Sequence, residues 1–261
     1  MTHPAITATS ARDFVEGAEL PEPPPLNFDI AKGPGFDFDA AREQATVVGS
    51  EVIAFVKGIT PEQRQDIVNA TLLAQLVARK AVAEPKTMAQ VKSWYDDYFD
   101  VLTNIGFVLQ HRDFTQYEEH SDNFEAHQAI LDVAATLLAG SPGALLLVKT
   151  TLEALQKMSA DSPWITLFNR ESQSANTARF QVSLVEQDEN AQLLLSLIAF
   201  GLQARNTLTQ VLFVKFKRND VTLDSYSGKV TINAPVLAAV RDQLAAKLVA
   251  YSTDYIKGLS L

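Results

Sequence analysis

The segment ARFQVSLVEQDENAQLLLSLIAFGLQARNTLTQVLFVKFKRNDVTLDSYSGKVTIN, Ala178 to Asn233, decides the fold, because it reads as four β-strands in succession. Phe180, Val182 and Leu184 alternate with Arg179, Gln181 and Ser183, a period of two that gathers apolar side chains on one face of a sheet. Gln187-Asp188-Glu189-Asn190 breaks that strand. From Gln192 to Leu202 the apolar residues fall at both parities, as in a strand covered on both faces, which makes this one central. A third strand, Leu208 to Lys217, returns the chain after Arg205-Asn206. Asn219-Asp220 then turns it into a fourth, Val221 to Ile232, with a bend or bulge at Ser227-Gly228. Short turns between consecutive strands predict an antiparallel sheet.

Working outward, the preceding residues read as helices. Asp37 or Asp39 caps one through about Lys57, with Ala41, Val48, Val52 and Phe55 on one side and Gly58 closing it. Thr60-Pro61-Glu62-Gln63 has capping-box spacing with proline in the first turn and starts a second helix, which Glu84-Pro85 stops; the two form a hairpin. A third runs from Thr87 to about Gln110, with an aromatic stripe, Trp94, Tyr95 and Tyr98, that reads as core packing ahead of a ligand wall. Asp122 and Glu125 open a fourth helix, and Ser141-Pro142 a fifth, ended near Pro163. Between Asp132 and Lys149 there is no charged side chain, so this second hairpin is the most apolar helical part of the chain. Trp164 to Phe168 reads as a short strand or a wedge entering the sheet. Pro235 begins a last helix with Val236, Val240, Leu244 and Leu248 inward. Residues 1–35, with Pro23-Pro24-Pro25 and Gly33-Pro34-Gly35, read as an extended arm ahead of a single domain, 36–261.

The totals exclude several classes. Of 261 residues 47% are hydrophobic, ample for a sizeable core. With 31 acidic against 22 basic residues, the formal charge of −9 repels phosphate backbones, so no nucleic-acid partner is expected. The absence of cysteine removes disulfides, thiolate nucleophiles and S-linked lipid anchors. Met1 to Ser10 lacks the pattern of a secretory signal, which predicts a protein soluble when made and released without a classical signal peptide.

Local chemical motifs are weak. His111-Arg112-Asp113 copies a kinase catalytic tripeptide without a glycine-rich loop or Asp-Phe-Gly. His111, His120 and His127 lie among carboxylates at spacings that match no ligand pattern, and they read as a solvated connector. Ser227-Gly228-Lys229 lacks the upstream glycine of a phosphate loop. No catalytic residue, metal or cofactor is predicted, and the protein is not expected to be an enzyme.

The order of the strands carries more. Ser172-Gln173-Ser174-Ala175-Asn176-Thr177 leads into an alternating strand. It is followed by the turn Val185-Glu186-Gln187-Asp188-Glu189-Asn190, the strand Leu194 to Phe200, and Thr209-Gln210-Val211-Leu212-Phe213-Val214-Lys215-Phe216. This succession resembles the C-terminal half of the cytolytic delta-endotoxins called Cyt toxins. Pro25-Leu26-Asn27-Phe28 and Phe36-Asp37-Phe38-Asp39 resemble a segment before their first helix. Asn104-Ile105-Gly106-Phe107-Val108-Leu109 and Ser227-Gly228-Lys229-Val230 are similar to the Erwinia virulence factor, which shares that architecture with fungal volvatoxin.

The resemblance implies one α/β domain, an antiparallel sheet sandwiched between two layers of helical hairpins, with the 1–35 arm as a protease-trimmed segment. It further implies a membrane-active virulence protein, cytolytic or pore-forming, that inserts once its helical layers rearrange and forms homo-oligomers on the bilayer. The expected lipid contacts are Leu193, Leu195, Leu197 and Phe200 of the central strand, Val211, Phe213 and Phe216 of the next, and Leu137 and Leu146 of the second hairpin. Net negative charge makes zwitterionic bilayers the expected partner. The Erwinia protein carries its acyl chain on a buried cysteine, a route this chain lacks. The alternative is a non-lytic lipid-binding protein with an apolar pocket between helices and sheet.

Overall fold

The computed structural model describes residues 6–23, 37–109, 114–117, 123–208, 212, 215–217 and 220–259. Within the segment read as an extended arm, Thr7 and Ser10 form a capping box that starts helix α1 (Ala8–Gly17), whose Ala11 and Val15 are buried. The stretch read as a helix over 37–57 is instead a hairpin of β1 (Gln44–Val48) and β2 (Glu51–Phe55). Every residue of both strands is buried, so the run shows no period of two, and its i, i+4 apolar matches imitate a helix. The β-branched Val47, Val48, Val52 and Ile53 favour the strand. Gly49 makes the turn at φ +55, where an added Cβ would meet Gln75 Oε1 at 2.3 Å. Gly58, at φ +93, closes the turn after β2 and donates its N–H to the Ala40 carbonyl.

Capping residues place the next helices where the spacing puts them. Thr60 and Gln63 cap α2 (Pro61–Ala81) reciprocally, and Thr87 caps α3 (Met88–Asn104). The hairpin of this layer is therefore α2 with α3. Gly106, at φ +104, ends α3 short of Gln110, and β3 (Phe107–Val108), β4 (Thr115–Gln116) and β5 (Asn123–Glu125) follow. The helix expected from Asp122 begins after β5, as α4 (Ala126–Leu137). Pro142 opens α5 (Pro142–Gln156), although the Ser141 side chain makes no cap bond. Trp164 to Phe168 is neither strand nor wedge. Ser162 caps, and Pro163 starts, α6 (Pro163–Ser172), the same signal as Thr60-Pro61.

The remaining elements are β6 (Gln173–Ser174), β7 (Thr177–Gln187), β8 (Leu193–Ala204), β9 (Lys215–Lys217), β10 (Val221–Ile232), α7 (Ala234–Ala239), α8 (Arg241–Tyr255) and β11 (Ile256–Leu259). The main sheet runs β11-β1-β2-β7-β8-β10-β3, with β4 beside β10 and β6 beside β7. Strands β7, β8 and β10 are antiparallel as expected, but β2 joins β7 in parallel, so the sheet is mixed. Of the strand expected over Leu208 to Lys217, the described residues place Lys215–Lys217 outside the main sheet. Val221 to Thr231 pairs directly with Ala204 to Leu194, while β9 pairs with β5 in a separate ribbon. Lys215 and Lys217, two apart, suit such a ribbon better than a strand covered on both faces. Register through Ser227↔Ile198 and Gly228↔Leu197 is unbroken, so the expected bulge is absent.

The result is the expected α/β sandwich with two cores. One face, with Ile53, Phe55, Leu193, Leu195 and Leu197, is covered by α1, α2, α3, α7 and α8. The other, with Val47, Val52, Phe180, Val182 and Phe200, is covered by α4, α5 and α6. Strand β8 contributes to both, as its apolar pattern predicts. Inward-facing Val236, Val240, Leu244 and Leu248 are all buried in the first core.

Candidate functional site: two helical covers, differently attached

The residues expected to meet lipid do not form one surface. Leu193, Leu195 and Leu197 point into the first core and Phe200 into the second, each fully or almost fully buried. Leu137 of α4 is half-buried against the second core, and Leu146 of α5 is 63% exposed. Phe216 lies in β9, outside the main sheet and in register with Phe124, whereas Val211 and Phe213 lie outside the described residues. The structure thus brings Leu137 and the Phe200 face of the sheet together in the second core and sets Leu193, Leu195 and Leu197 apart from them.

The first layer is pinned to the sheet by polar contacts. Tyr95 of α3 donates its hydroxyl between the carbonyls of Phe200 (2.8 Å) and Phe180 (3.1 Å). Gly201 makes that approach possible, since a Cβ there would stand 2.9 Å from both Met88 Sδ and Val91 Cγ1 of the same helix. Tyr98 donates to Glu51 at 3.0 Å, and Gln75 of α2 donates to the Val48 carbonyl and accepts from the Ser50 N–H. Trp94 stacks on Tyr98, and the guanidinium of buried Arg179 sits 4.3 Å from the Trp94 ring. Burial lowers the Arg179 pKa to about 10, still charged at neutral pH, and raises those of Tyr95 and Tyr98, which stay protonated.

The second layer is attached differently. Ala144, Leu147, Val148, Leu152 and Leu155 of α5 and Ala129, Ile130 and Ala134 of α4 pack on the aliphatic and phenylalanine side chains of the sheet. Among the described residues, the side chains of α5 bond only within the helix, Thr151 to the Leu147 carbonyl and Lys149 to Glu153. Asp132 of α4 accepts from Tyr117 and Gln128 and not from the sheet face. Among the described residues, the His127 backbone N–H of α4 donates to the Leu212 carbonyl, and α6 is tied through Glu171, which accepts from Arg79 of α2 and from Arg170.

These attachments differ in what lipid can replace. A buried Leu or Val is worth about 1.5–3 kcal/mol against water, yet acyl chains are as apolar as a protein core and supply the same environment. A polar pin broken in hydrocarbon leaves groups unsatisfied, at several kcal/mol each. The α4–α5 pair therefore exchanges neighbours at the lower cost. No described helix is long and apolar enough to cross a membrane.

Sequence reasoning missed the buried polar groups of the first core. Glu51 fell within an expected helix, and Arg179, Gln181 and Ser183 were placed only on the opposite side of β7 from its apolar residues; all are buried. The signal available was Glu51 standing alone inside the apolar run Val47 to Phe55. Among the described residues no His, Asp and Glu cluster fit to hold a metal ion is present, and His111 and His120 lie outside them. A cleft of about 490 Å³ is lined by Val108 and residues 190–193 and 231–235, at one end of the sheet rather than between a helical layer and its face.

No protein-family model matches the chain, and no curated protein matches it. Solved structures similar to it include a delta-endotoxin and the Evf virulence factor. The delta-endotoxin aligns with 13% identity and a TM-score of 0.39, covering 75% of this chain and 90% of its own. The Evf virulence factor aligns with 12% identity and a TM-score of 0.33, covering 77% of this chain and 82% of its own.

Proposed function

We propose that the protein is a membrane-active virulence protein that perturbs lipid bilayers after its α4–α5 layer parts from the sheet. The observation that carries this reading is an asymmetry at the sheet: α2 and α3 are pinned to it by buried hydrogen bonds, whereas α4 and α5 pack on its other face through apolar contacts that acyl chains can replace. The exposed side chain of Leu146 and the uncharged stretch between Asp132 and Lys149 give the α4–α5 pair its first contact with the bilayer. The resemblance of residues 172–216 to Cyt toxins points the same way.

Parting exposes the Phe180, Val182 and Phe200 face to lipid while α2 and α3 stay docked. A sheet in hydrocarbon cannot leave its edges unpaired, so permeabilisation requires several copies to join edge to edge. The charge of −9 gives no attraction to anionic headgroups, and zwitterionic bilayers are the matching target.

Dye release from zwitterionic vesicles, before and after limited proteolysis, tests the reading. The chain has no cysteine, so an engineered disulfide between α5 and β2, which touch in the fold, stands alone. Release is expected from the reduced protein and not from the oxidised one; equal release from both rejects the mechanism. Bound lipid in intact-protein mass spectra without any leakage identifies a carrier instead.

A further inference from the structure

Glu51 lies in β2 opposite Gln181 of β7, with no exposed surface. Its Oε1 accepts from the Ser183 hydroxyl at 2.6 Å, and its Oε2 from the Tyr98 hydroxyl at 3.0 Å and from Gln75 Nε2 at 3.5 Å. The donors belong to the elements that converge there, β7, α3 and α2, and all are neutral. Among the described residues Glu51 makes no ion pair. The titratable groups facing it are Tyr98 and Tyr95 of α3, with Tyr226 of β10 acting on Tyr98. Helix α2 presents only the amide of Gln75. The charged group further along the same face of β7, Arg179, is engaged with Trp94. A carboxyl in such a place has no counter-charge to hold it ionised.

We propose that Glu51 is a pH-operated latch on the α2–α3 layer: while its carboxyl is protonated both helices stay bound to the sheet, and its ionisation loosens them. The latch lies beneath the polar-pinned cover, so it governs the face carrying Leu193, Leu195 and Leu197. That face is the one the lipid-replaceable layer leaves closed. Burial raises the carboxyl pKa to about 7, against the three hydrogen bonds that lower it. The folded value thus exceeds the unfolded one, near 4.5. The stabilisation is fully present below pH 4.5 and is lost as pH rises through 7. Tyr95 and Tyr98 keep their protons and Arg179 its charge over that window, so of the groups named here the carboxyl alone changes state.

The consequence for lipid contact rests on the membrane reading above; the latch does not, and its test needs no lipid. Hydrogen exchange of α2 and α3 amides, corrected for intrinsic rates, is compared between pH 6 and pH 8 in the wild type and in Glu51→Gln, an uncharged near-isostere. The wild type is expected to lose about tenfold protection in all between pH 6 and pH 8, the fall flattening above the carboxyl pKa where open and closed states are both ionised, in α2–α3 and not in α4–α5, and Glu51→Gln to be flat. Identical profiles for the two proteins overturn the proposal. Should the variant fail to fold, carboxyl NMR of the wild type decides: titration near 7 supports the latch, and titration near 4.5 overturns it. Dye release from vesicles at pH 6 and 8 separates the two ideas. Absent release with an intact exchange profile rejects the membrane reading alone, and release with pH-independent exchange rejects the latch alone.

Discussion

Arg64 of α2 donates from Nη1 to Gln44 Oε1 of β1 at 2.6 Å, so a guanidinium with no exposed surface ties a helix of one cover to the strand hairpin before it. The same side chain also donates to the carbonyls of Ile59, Val56 and Arg42, and lies 5.4 Å from the centre of the Phe55 ring. Burial lowers its pKa, with Asp39 opposing, and its fork geometry fills a ring of acceptors that a point charge cannot reach.

Arg64→Lys is therefore not conservative. Losing two of the four hydrogen bonds is expected to destabilise the protein by about 2 kcal/mol, at about 1 kcal/mol each. Urea unfolding checks this; a midpoint within error of the wild type contradicts it.

Gly201 allows α3 to approach β8 closely enough for Tyr95 to reach the Phe200 carbonyl. A methyl group at 2.9 Å from Met88 Sδ and Val91 Cγ1 must push the helix away, so Gly201→Ala is expected to cost about 1–3 kcal/mol. Tyr95→Phe, which keeps the packing and removes the hydrogen bond, should cost about 1 kcal/mol. Thermal unfolding of both variants and of the double variant should show less than additive losses, because both act on one contact.

Arg241 of α8 grips Asp66 of α2 with Nε and Nη2, both at 2.7 Å. Helix α8 is thereby held over the first core. A double-mutant cycle on this bidentate pair should return a coupling of about 1–2 kcal/mol, larger than an ordinary exposed pair. A coupling of zero would mark the pair as energetically idle.

Leu146 and Val249 are both exposed, 63% and 73%, but on opposite covers, α5 and α8. Leu146→Glu and Val249→Glu should each leave stability within about 0.5 kcal/mol of the wild type. Only Leu146→Glu should reduce vesicle leakage, by about tenfold for each 1.4 kcal/mol of charge transferred toward the hydrocarbon. Equal effects of the two substitutions would show that α5 is not the contacting layer.

Local signals carried the helix starts and the heart of the sheet. Thr60 with Gln63, Thr87, and the two-residue period of β7 act between near neighbours, and β8 announces its double cover by apolar residues at both parities. The same double burial hid β1 and β2, since a strand covered on both faces has no alternation to display. The parity of β8 separates Leu197 from Phe200, but which helices lie over each depends on how the chain folds back. Glu51 is the clearest case. The groups that meet its carboxyl lie 24, 47 and 132 residues away along the chain, and only their convergence turns an ordinary acid into a buried one without a counter-charge.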